Sequence, residues 1–519
     1  MPPARSLWRH GDFVKLWVGH TVSRFGSRIS DDALVATAVL VLAATPQQLG
    51  WLVAVGSAPV LLIGLFAGVL VDRTRRRPVM IATDFCRALL LASIPVAYAF
   101  GVLTITQLFV VAGLSGVLTV FFDVADQSYL PGLVERENIP EGNSKLGLSG
   151  AVAEVAGPAL GGTMIQLLSA PVTILIDAAS FLVSAVSVML IRKPEIKRGG
   201  TEGEKRTGRR IGQSAEDASD SLSTVTSDEG VRSRRRAEEN ALLLLEHGRS
   251  HREPVGLTQE PGALLGAPAG LAREPGGSIQ ERADLTQEAG DLIVESGILD
   301  KEKGNSAFSS LFDGLRLVFS NPLLRAMAGF SGTATFFGSF FSALYWPYAV
   351  RELGLGPALV GVLISVGGVS SLVGALLTGP VTRRFGLGRT MTVACVLGGI
   401  FELFIPLAGT AFIGAAAGLF VQQLFGDITW DLYGINAISL RQSLVPDESL
   451  GRANAAMNFI QGALLPVGAP IAGLIADHYG MRVAVLIAVL GTLASSLWIV
   501  LSPIRHLHAH PTSALDEGL

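Results

Sequence analysis

Long stretches without a charged residue set the pattern of this chain. Residues 33–71 carry none over 39 positions, and residues 88–122 none over 35. Six further runs, 155–176, 326–350, 353–382, 403–426, 453–476 and 483–504, extend for 22 to 30 residues. A helix needs ~20 apolar residues to cross ~30 Å of hydrocarbon, so the two longest runs must each hold parts of two helices and a turn. Turn signals fall inside them, at Thr45-Pro46-Gln47-Gln48 and Phe100-Gly101. The pattern predicts twelve spans, at about 16–44, 47–70, 78–100, 104–127, 144–168, 171–192, 323–350, 357–381, 388–408, 411–440, 454–477 and 481–503. The first segment has no small-residue cleavage site and is read as a retained helix. Phe308, Leu311, Phe312, Leu315 and Phe319 recur at helical spacing and predict an amphipathic surface helix over 306–322.

Charge then divides the chain. Residues 194–305 hold 37 charged residues, 16 basic and 21 acidic, while the other 407 positions hold 46. The latter share is about 11%, well below the ~25% of soluble domains. That argues against a soluble enzyme, a nucleic-acid binder and a secreted disulfide scaffold. Cys86 and Cys395 lie in apolar runs and read as buried hydrophobes. The stretch 194–305 contains no Phe, Trp or Tyr and reads as a disordered insert. Of the Lys and Arg residues outside it, 19 fall on one side of the predicted spans and only Arg351 and Arg482 on the other. By the positive-inside rule both termini and the insert are cytoplasmic. Lys is scarce (7, against 33 Arg), a bias of GC-rich bacterial genomes.

The chain also repeats itself. Shifted by 311 residues, Gly68 meets Gly379, Arg73 meets Arg384, Asn143 meets Asn454, Gly157 meets Gly468 and Gly162 meets Gly473. The expected fold is all-α and membrane-integral, with 12 transmembrane helices in two parallel six-helix halves. Its parts are a first half (1–193), the insert (194–305), the surface helix (306–322), a second half (323–505) and a tail (506–519). Parallel halves with a central linker are a secondary-transporter architecture, its substrate site near the midplane.

Two motifs sharpen this. Gly68, Asp72, Arg73, Arg76 and Arg77 lie between spans two and three, where a glycine permits close helix approach and the charges can pair or anchor. They resemble the G-x-x-x-D-R-x-G-R-R signature of the major facilitator superfamily, with Arg75 in place of the second glycine. Gly157, Pro158, Gly161 and Gly162 in span five are similar to the superfamily's antiporter signature, with Ala153 in place of one preceding glycine. Small residues there allow close packing, and Pro158 removes a backbone donor. With Phe121 to Ala125, Gln127 to Pro131 and Asn321 to Arg325, the chain outside 194–305 resembles the macrolide- and enterobactin-exporter branch of drug:proton antiporters. The resemblance implies the major facilitator fold in a bacterial inner membrane, a gating role for the first motif and an antiport role for the second. The arginine that many antiporters carry in span four is absent, since residues 104–122 hold no charge.

Ionisable residues within spans are costly and mark function by default. His20, Arg24, Arg28, Asp31 and Asp32 form one polar stripe in span one, and Asp427 and Asp431 another in span ten. Asp123 is placed to pair with Arg24 across spans one and four. Glu154 has no basic residue within a turn and is the carboxylate expected to carry a proton, whereas Asp32 can be neutralised by Arg28. Asp84 and Arg87 are expected to support the Arg-rich loop. Glu402 and Asp177 receive no role. The expected activity is proton-coupled export of a small amphipathic compound by a monomer in the lipid bilayer. No catalytic residue, cofactor, metal or nucleic-acid partner is expected: there is no phosphate loop and no His/Cys cluster. Two alternatives stay open, a lysolipid flippase of the same fold and a sensor or scaffold acting through the insert.

Overall fold

Short turns aside, the described residues are helical, and no strand occurs among them. The computed structural model describes residues 7–72, 74–193, 307–409 and 412–507, without the side chains of 65, 66, 68–70, 72, 307, 308 and 310. The predicted insert 194–305, residues 508–519 of the tail and Arg73 lie outside the described residues. The long helices are α1 (Gly11–Ala36), α2 (Pro46–Asp72), α3 (Arg76–Ala99), α4 (Ile105–Leu133), α5 (Ile139–Leu168) and α6 (Ala170–Met189). After them come α7 (Ala307–Ser320), α8 (Pro322–Pro347), α9 (Pro357–Phe385) and α10 (Leu387–Glu402). The last four are α11 (Phe412–Val421), α12 (Asp427–Leu444), α13 (Asp447–Tyr479) and α14 (Met481–Ser495).

Local chemistry explains the starts and stops. Pro46, Pro322 and Pro357 open α2, α8 and α9, where a missing N–H costs nothing. Thr104 and Asn321 cap α4 and α8, accepting from Gln107 N and from Leu323 N. One-turn π segments extend α1 (Thr37–Val41) and α8 (Tyr348–Glu352), and another (Gln422–Gly426) joins α11 to α12 into one rod. Several boundaries shift from the predicted ones: α5 and α13 start at Ile139 and Asp447 and not near 144 and 454. The first helix begins at Gly11, α4 continues to Leu133, and the ninth segment breaks at Leu403 before resuming as Phe404–Leu407.

Among the described residues, ten helical segments are long and apolar enough to cross a membrane. Gly11–Val41 and Pro322–Glu352 are of similar length but more polar, and are not among the ten. Leu167, Leu376 and Ile413 are at least 71% exposed, an outward apolar surface suited to lipid. As the spacing predicted, α7 is amphipathic: Leu311 and Val318 are buried while Phe312 and Phe319 face outward. It lies against α13, close enough at Gly314 that a Cβ would meet the Arg452 carbonyl.

The 311-residue offset holds element by element. It carries Gly11–Val41 onto Pro322–Glu352, π turn included, and α5 and α6 onto α13 and α14. Even the backbone at Ser169 (φ 90°) recurs at Gly480 (φ 90°). The packing repeats too: α1 lies on α5 and α6 as α8 lies on α13 and α14. Between the two repeats the main packed pairs are α2 with α13 and α5 with α9.

Candidate functional site

Arg28, near the middle of α1, gathers three carboxylates. Its Nε lies 3.0 Å from Glu154 Oε2 on α5, and its Nη1 lies 3.8 Å from Asp31 and 4.0 Å from Asp32. Room for the guanidinium stem comes from Gly157: a Cβ there would sit 2.6 Å from Arg28 Cγ. Glu154 has no basic residue within a turn of its own helix, and its partner comes instead from another helix. Asp31 and Asp32 also part company. Asp31 and Glu154 are both 71% exposed, whereas Asp32 is buried and faces the Trp346 indole of α8. If all three acids are ionised the cluster carries net charge −2, an arrangement that needs water, a cation or a proton.

Beside this cluster, α1, α2, α3, α4 and α6 enclose a cavity of about 450 Å³. Arg24, Asp31, Arg87, Asp123 and Asp177 line it. Arg24 Nη2 lies 4.0 Å from Asp123 Oδ1, the expected pair between the first and fourth spans. His20, which donates to or accepts from nothing through its buried Nδ1, has Nε2 3.5 Å from Asp126. Arg87 pairs with buried Asp84, and its guanidinium lies 4.4 Å from the Phe122 ring centroid and 4.2 Å from that of Phe181. This corrects the expectation for Asp84 and Arg87. Arg87 lines the cavity with Asp84 fully buried behind it, and the pair faces α4 and α6 rather than the Arg-rich loop. Asp177, given no role from sequence, accepts from Ser180 and sits against Gly26, where a Cβ would come within 2.5 Å of its Oδ1.

In the second repeat, Asp427 and Asp431 both face α9. A Cβ at Gly367 would lie 2.2 Å from Asp427 Oδ2, and one at Gly374 would lie 3.0 Å from Asp431 Cβ. The buried Tyr345 hydroxyl has no hydrogen-bond partner and feels both Asp427 and Asp32, so it stands between the two repeats' acids.

One end of the molecule is sealed between the repeats. Gly162 and Gly361 bring α5 and α9 together, their Cα region only about 3.0 Å from where each other's Cβ would stand. Gly50 and Gly473 do the same for α2 and α13. Arg351 donates to the carbonyls of Val39 (2.7 Å) and Ala44 (2.8 Å), Ala358 N donates to Gln166, and Ala159 N to Ser365. Farther along the same helices, Gly64, Gly147, Gly150, Gly451 and Gly462 have nothing within 4 Å. Among the described residues, the close glycine contacts and hydrogen bonds between the repeats thus gather at the end away from Arg75, Arg383 and Arg384.

The sequence profile of the Major Facilitator Superfamily matches residues 16–467 and again 329–516. The chain belongs to this superfamily. A stretch of 193 residues is 27% identical to the uncharacterized MFS-type transporter YfiS of Bacillus subtilis (strain 168), covering 37% of this chain and 45% of that one. Another of 152 residues is 33% identical to the multidrug efflux pump Tap of Mycolicibacterium fortuitum, covering 26% and 35%. The chain thus matches less than half the length of either relative. Among solved structures, a bacterial homologue of iron transporter ferroportin in an inward-facing state aligns with TM-score 0.61 at 15% identity, over 96% of this chain and 99% of that one. A bacterial homologue of human lysosomal transporter Spinster, inward-facing and unoccupied, gives 0.61 at 10% identity, over 97% and 98%. At such identities the likeness is one of fold.

The superfamily's two signatures occupy different places here. Gly68 and Asp72 lie in the last turns of α2, their side chains outside the described set, as is Arg73. Arg76 donates to Ser128 O (3.0 Å), and Arg77 to Val188 O and Met189 O (3.2 and 2.6 Å), so both reach the C-terminal carbonyls of α4 and α6. The Gly157, Pro158, Gly161 and Gly162 motif stands at the seal: Gly161 meets Ile29 of α1, and Pro158 O faces Gly361. Sequence reasoning missed Trp346, Tyr345 and Arg351 as parts of this arrangement. Arg351 carried a signal, being one of two basic residues on its side of the predicted topology; the two aromatics carried none.

Proposed function

We propose that the chain is a secondary exporter that moves a small amphipathic compound by alternating access, driven by inward proton flow. The observation that carries this is the Arg28 cluster, three carboxylates from α1 and α5 around one guanidinium, directly beside the Gly157–Gly162 seal. Excess carboxylates facing water next to a movable closure are what coupling needs: a proton taken up lowers the repulsion, and the change is felt where the repeats meet. Superfamily membership and the multidrug efflux pump among its relatives support the reading. On it, the two polar segments also cross the membrane, making twelve spans in two halves (1–193 and 323–505) linked by a cytoplasmic insert (194–305). The Lys and Arg distribution favours cytoplasmic termini in a bacterial inner membrane, so the end bearing Arg75, Arg383 and Arg384 faces inward. The protein works as a monomer of the drug:proton antiporter kind, with Asp72 and Arg73 latching the inner end.

The test is efflux from proteoliposomes under an imposed pH gradient. Glu154→Gln is expected to reduce gradient-driven movement at least tenfold while leaving substrate exchange without a gradient intact. If Glu154→Gln and Asp427→Asn both retain full gradient-driven transport, the coupling assignment fails.

A further inference from the structure

The second repeat contains a cavity of about 510 Å³ between α8, α10, α12, α13 and α14. That volume is in the range that holds drug-sized ligands. Phe330, Trp430 and Tyr433 wall it, with ring centroids 5.7 Å apart for Phe330 and Trp430 and 4.2 Å for Phe330 and Tyr433. Glu402 closes the mid-membrane end. Its Oε1 accepts from Trp430 Nε1 (3.2 Å), the Thr492 hydroxyl stands beside the carboxylate, and the residue is only 7% exposed. No Lys or Arg forms an ion pair with it among the described residues. Arg441 also lines the cavity, but eleven residues beyond Trp430 on α12, which is roughly 16 Å along the axis. The open side runs along Ile438 and Asn458, both exposed.

The repeat offers an internal comparison. The 311-residue offset places Tyr433 where the first repeat has Phe122, and Gly398 where it has Arg87. There, the Arg87 guanidinium fills the aromatic site between Phe122 and Phe181. Here the built-in cation is missing: a Cβ on Gly398 would look onto Trp430, 3.5 Å from its ring. Leu91 and Thr119 occupy the positions equivalent to Glu402 and Trp430, so neither residue is demanded by the fold. Arg441 stands toward the Tyr433 end, while the Glu402 end of the wall has no cation of its own; a buried acid beside ring faces and without a cation there is a receptor for one, attracted to the ring faces and to the carboxylate. We propose that this cavity binds an aromatic or amphipathic organic cation, held between Glu402 and the Phe330–Trp430–Tyr433 wall. As the transported substrate class, this rests on the exporter reading; as a binding site, it does not.

The experiment uses the purified full chain in lipid nanodiscs and radiolabelled tetraphenylphosphonium as probe. Saturable binding is expected, with triphenylphosphine oxide, an uncharged aromatic analogue, competing at least tenfold more weakly. Glu402→Gln is expected to weaken binding at least tenfold. Trp430→Leu is expected to weaken it too, and Gly398→Arg, which restores the built-in cation, to abolish it. Folding is followed by size exclusion and thermal unfolding. Absence of saturable binding to the folded wild type overturns the proposal, as does equal competition by the uncharged analogue or unchanged affinity in a folded Glu402→Gln. Should that variant not fold, unchanged affinity in Trp430→Leu and Gly398→Arg overturns it equally. Binding without gradient-driven movement of the same cation would keep the site and remove the exporter reading. Gradient-driven movement of another compound by a protein that binds no tetraphenylphosphonium would do the reverse.

Discussion

Replacing Gly361 by Ala tests whether close helix packing holds one end of the protein shut. The added Cβ would stand 2.1 Å from the Pro158 carbonyl oxygen and 3.0 Å from Gly162 Cα. Ordinary contact begins near 3.4 Å, so α5 and α9 must separate by more than 1 Å or distort. Neither neighbour is a flexible side chain, so nothing can swing aside. Overpacking of this kind costs about 1–3 kcal/mol. The cost falls on the sealed form alone, because α5 and α9 part when that end opens. The balance between sealed and open forms should therefore move by about 5- to 150-fold toward open. The assay is the reaction rate of a cysteine placed at Ala44, which is 2% exposed within the seal, with a membrane-impermeant maleimide. Exposed Cys86 is replaced by Ser and Cys395 by Ala beforehand. Gly147→Ala, on the same α5 but with nothing within 4 Å, is the control and should leave the rate unchanged. An unaltered rate in a folded Gly361→Ala protein, or an equal change in Gly147→Ala, refutes the packing argument.

Arg351→Gln removes two charge-assisted hydrogen bonds to the Val39 and Ala44 carbonyls, and is expected to speed labelling at the same reporter without affecting probe binding to the folded protein. Ser169→Gly should raise thermal stability by about 1 kcal/mol or more, since Ser169 holds φ 90° and ψ 153°, a region suited to glycine, and Gly480 already supplies it in the other repeat; an unchanged or lower melting temperature would contradict this. Arg28→Gln leaves Glu154, Asp31 and Asp32 without their shared cation, so gradient-driven transport should fall further than in Glu154→Gln, as read in the same proteoliposomes.

Much of the fold was legible because its signals are local. Charge-free run length gave the helices, and the offset between Gly157 and Gly468 gave the repeat that later appeared down to the π turns at Thr37–Val41 and Tyr348–Glu352. Arg24 and Asp123 were paired correctly because both lie at similar depth on helices whose neighbourhood the repeat implies. The partner of Glu154 was not legible for the opposite reason. Its partner Arg28 is 126 residues away in sequence, and only the Gly157 notch lets the guanidinium reach across from α1. Asp84 and Arg87 were paired rightly by their helical spacing but placed wrongly, since spacing fixes which residues share a face and not what that face meets. Tyr345 and Trp346 could not be found, because an aromatic in a hydrophobic helix looks the same whether it faces lipid or an acid.

The repeat makes a sharper argument than either half alone. Two repeats whose helices correspond by one offset hold equivalent positions, so a residue type that differs between them is not demanded by the shared helix order. The first repeat fills those places with Arg24, Arg28, Arg87, Asp31, Asp123 and Glu154; the second has Thr335, Ser339, Gly398, Ser342, Gly434 and Leu465 there. A membrane protein gains nothing from carrying such charges in one half if neutral residues serve in the other, given that each costs at least ~2.5–3.5 kcal/mol at mid-membrane when unpaired. The Arg28 cluster and the Glu402 cavity are therefore different chemistries on opposite halves. They meet where Asp32 faces Trp346 and where Tyr345 stands between Asp32 and Asp427. Any rocking of the halves must remake those contacts together with the seal at Gly162 and Gly361. On the exporter reading, that shared hinge lets the charge state of one half bias access to the cavity in the other, with no wire of residues needed between them.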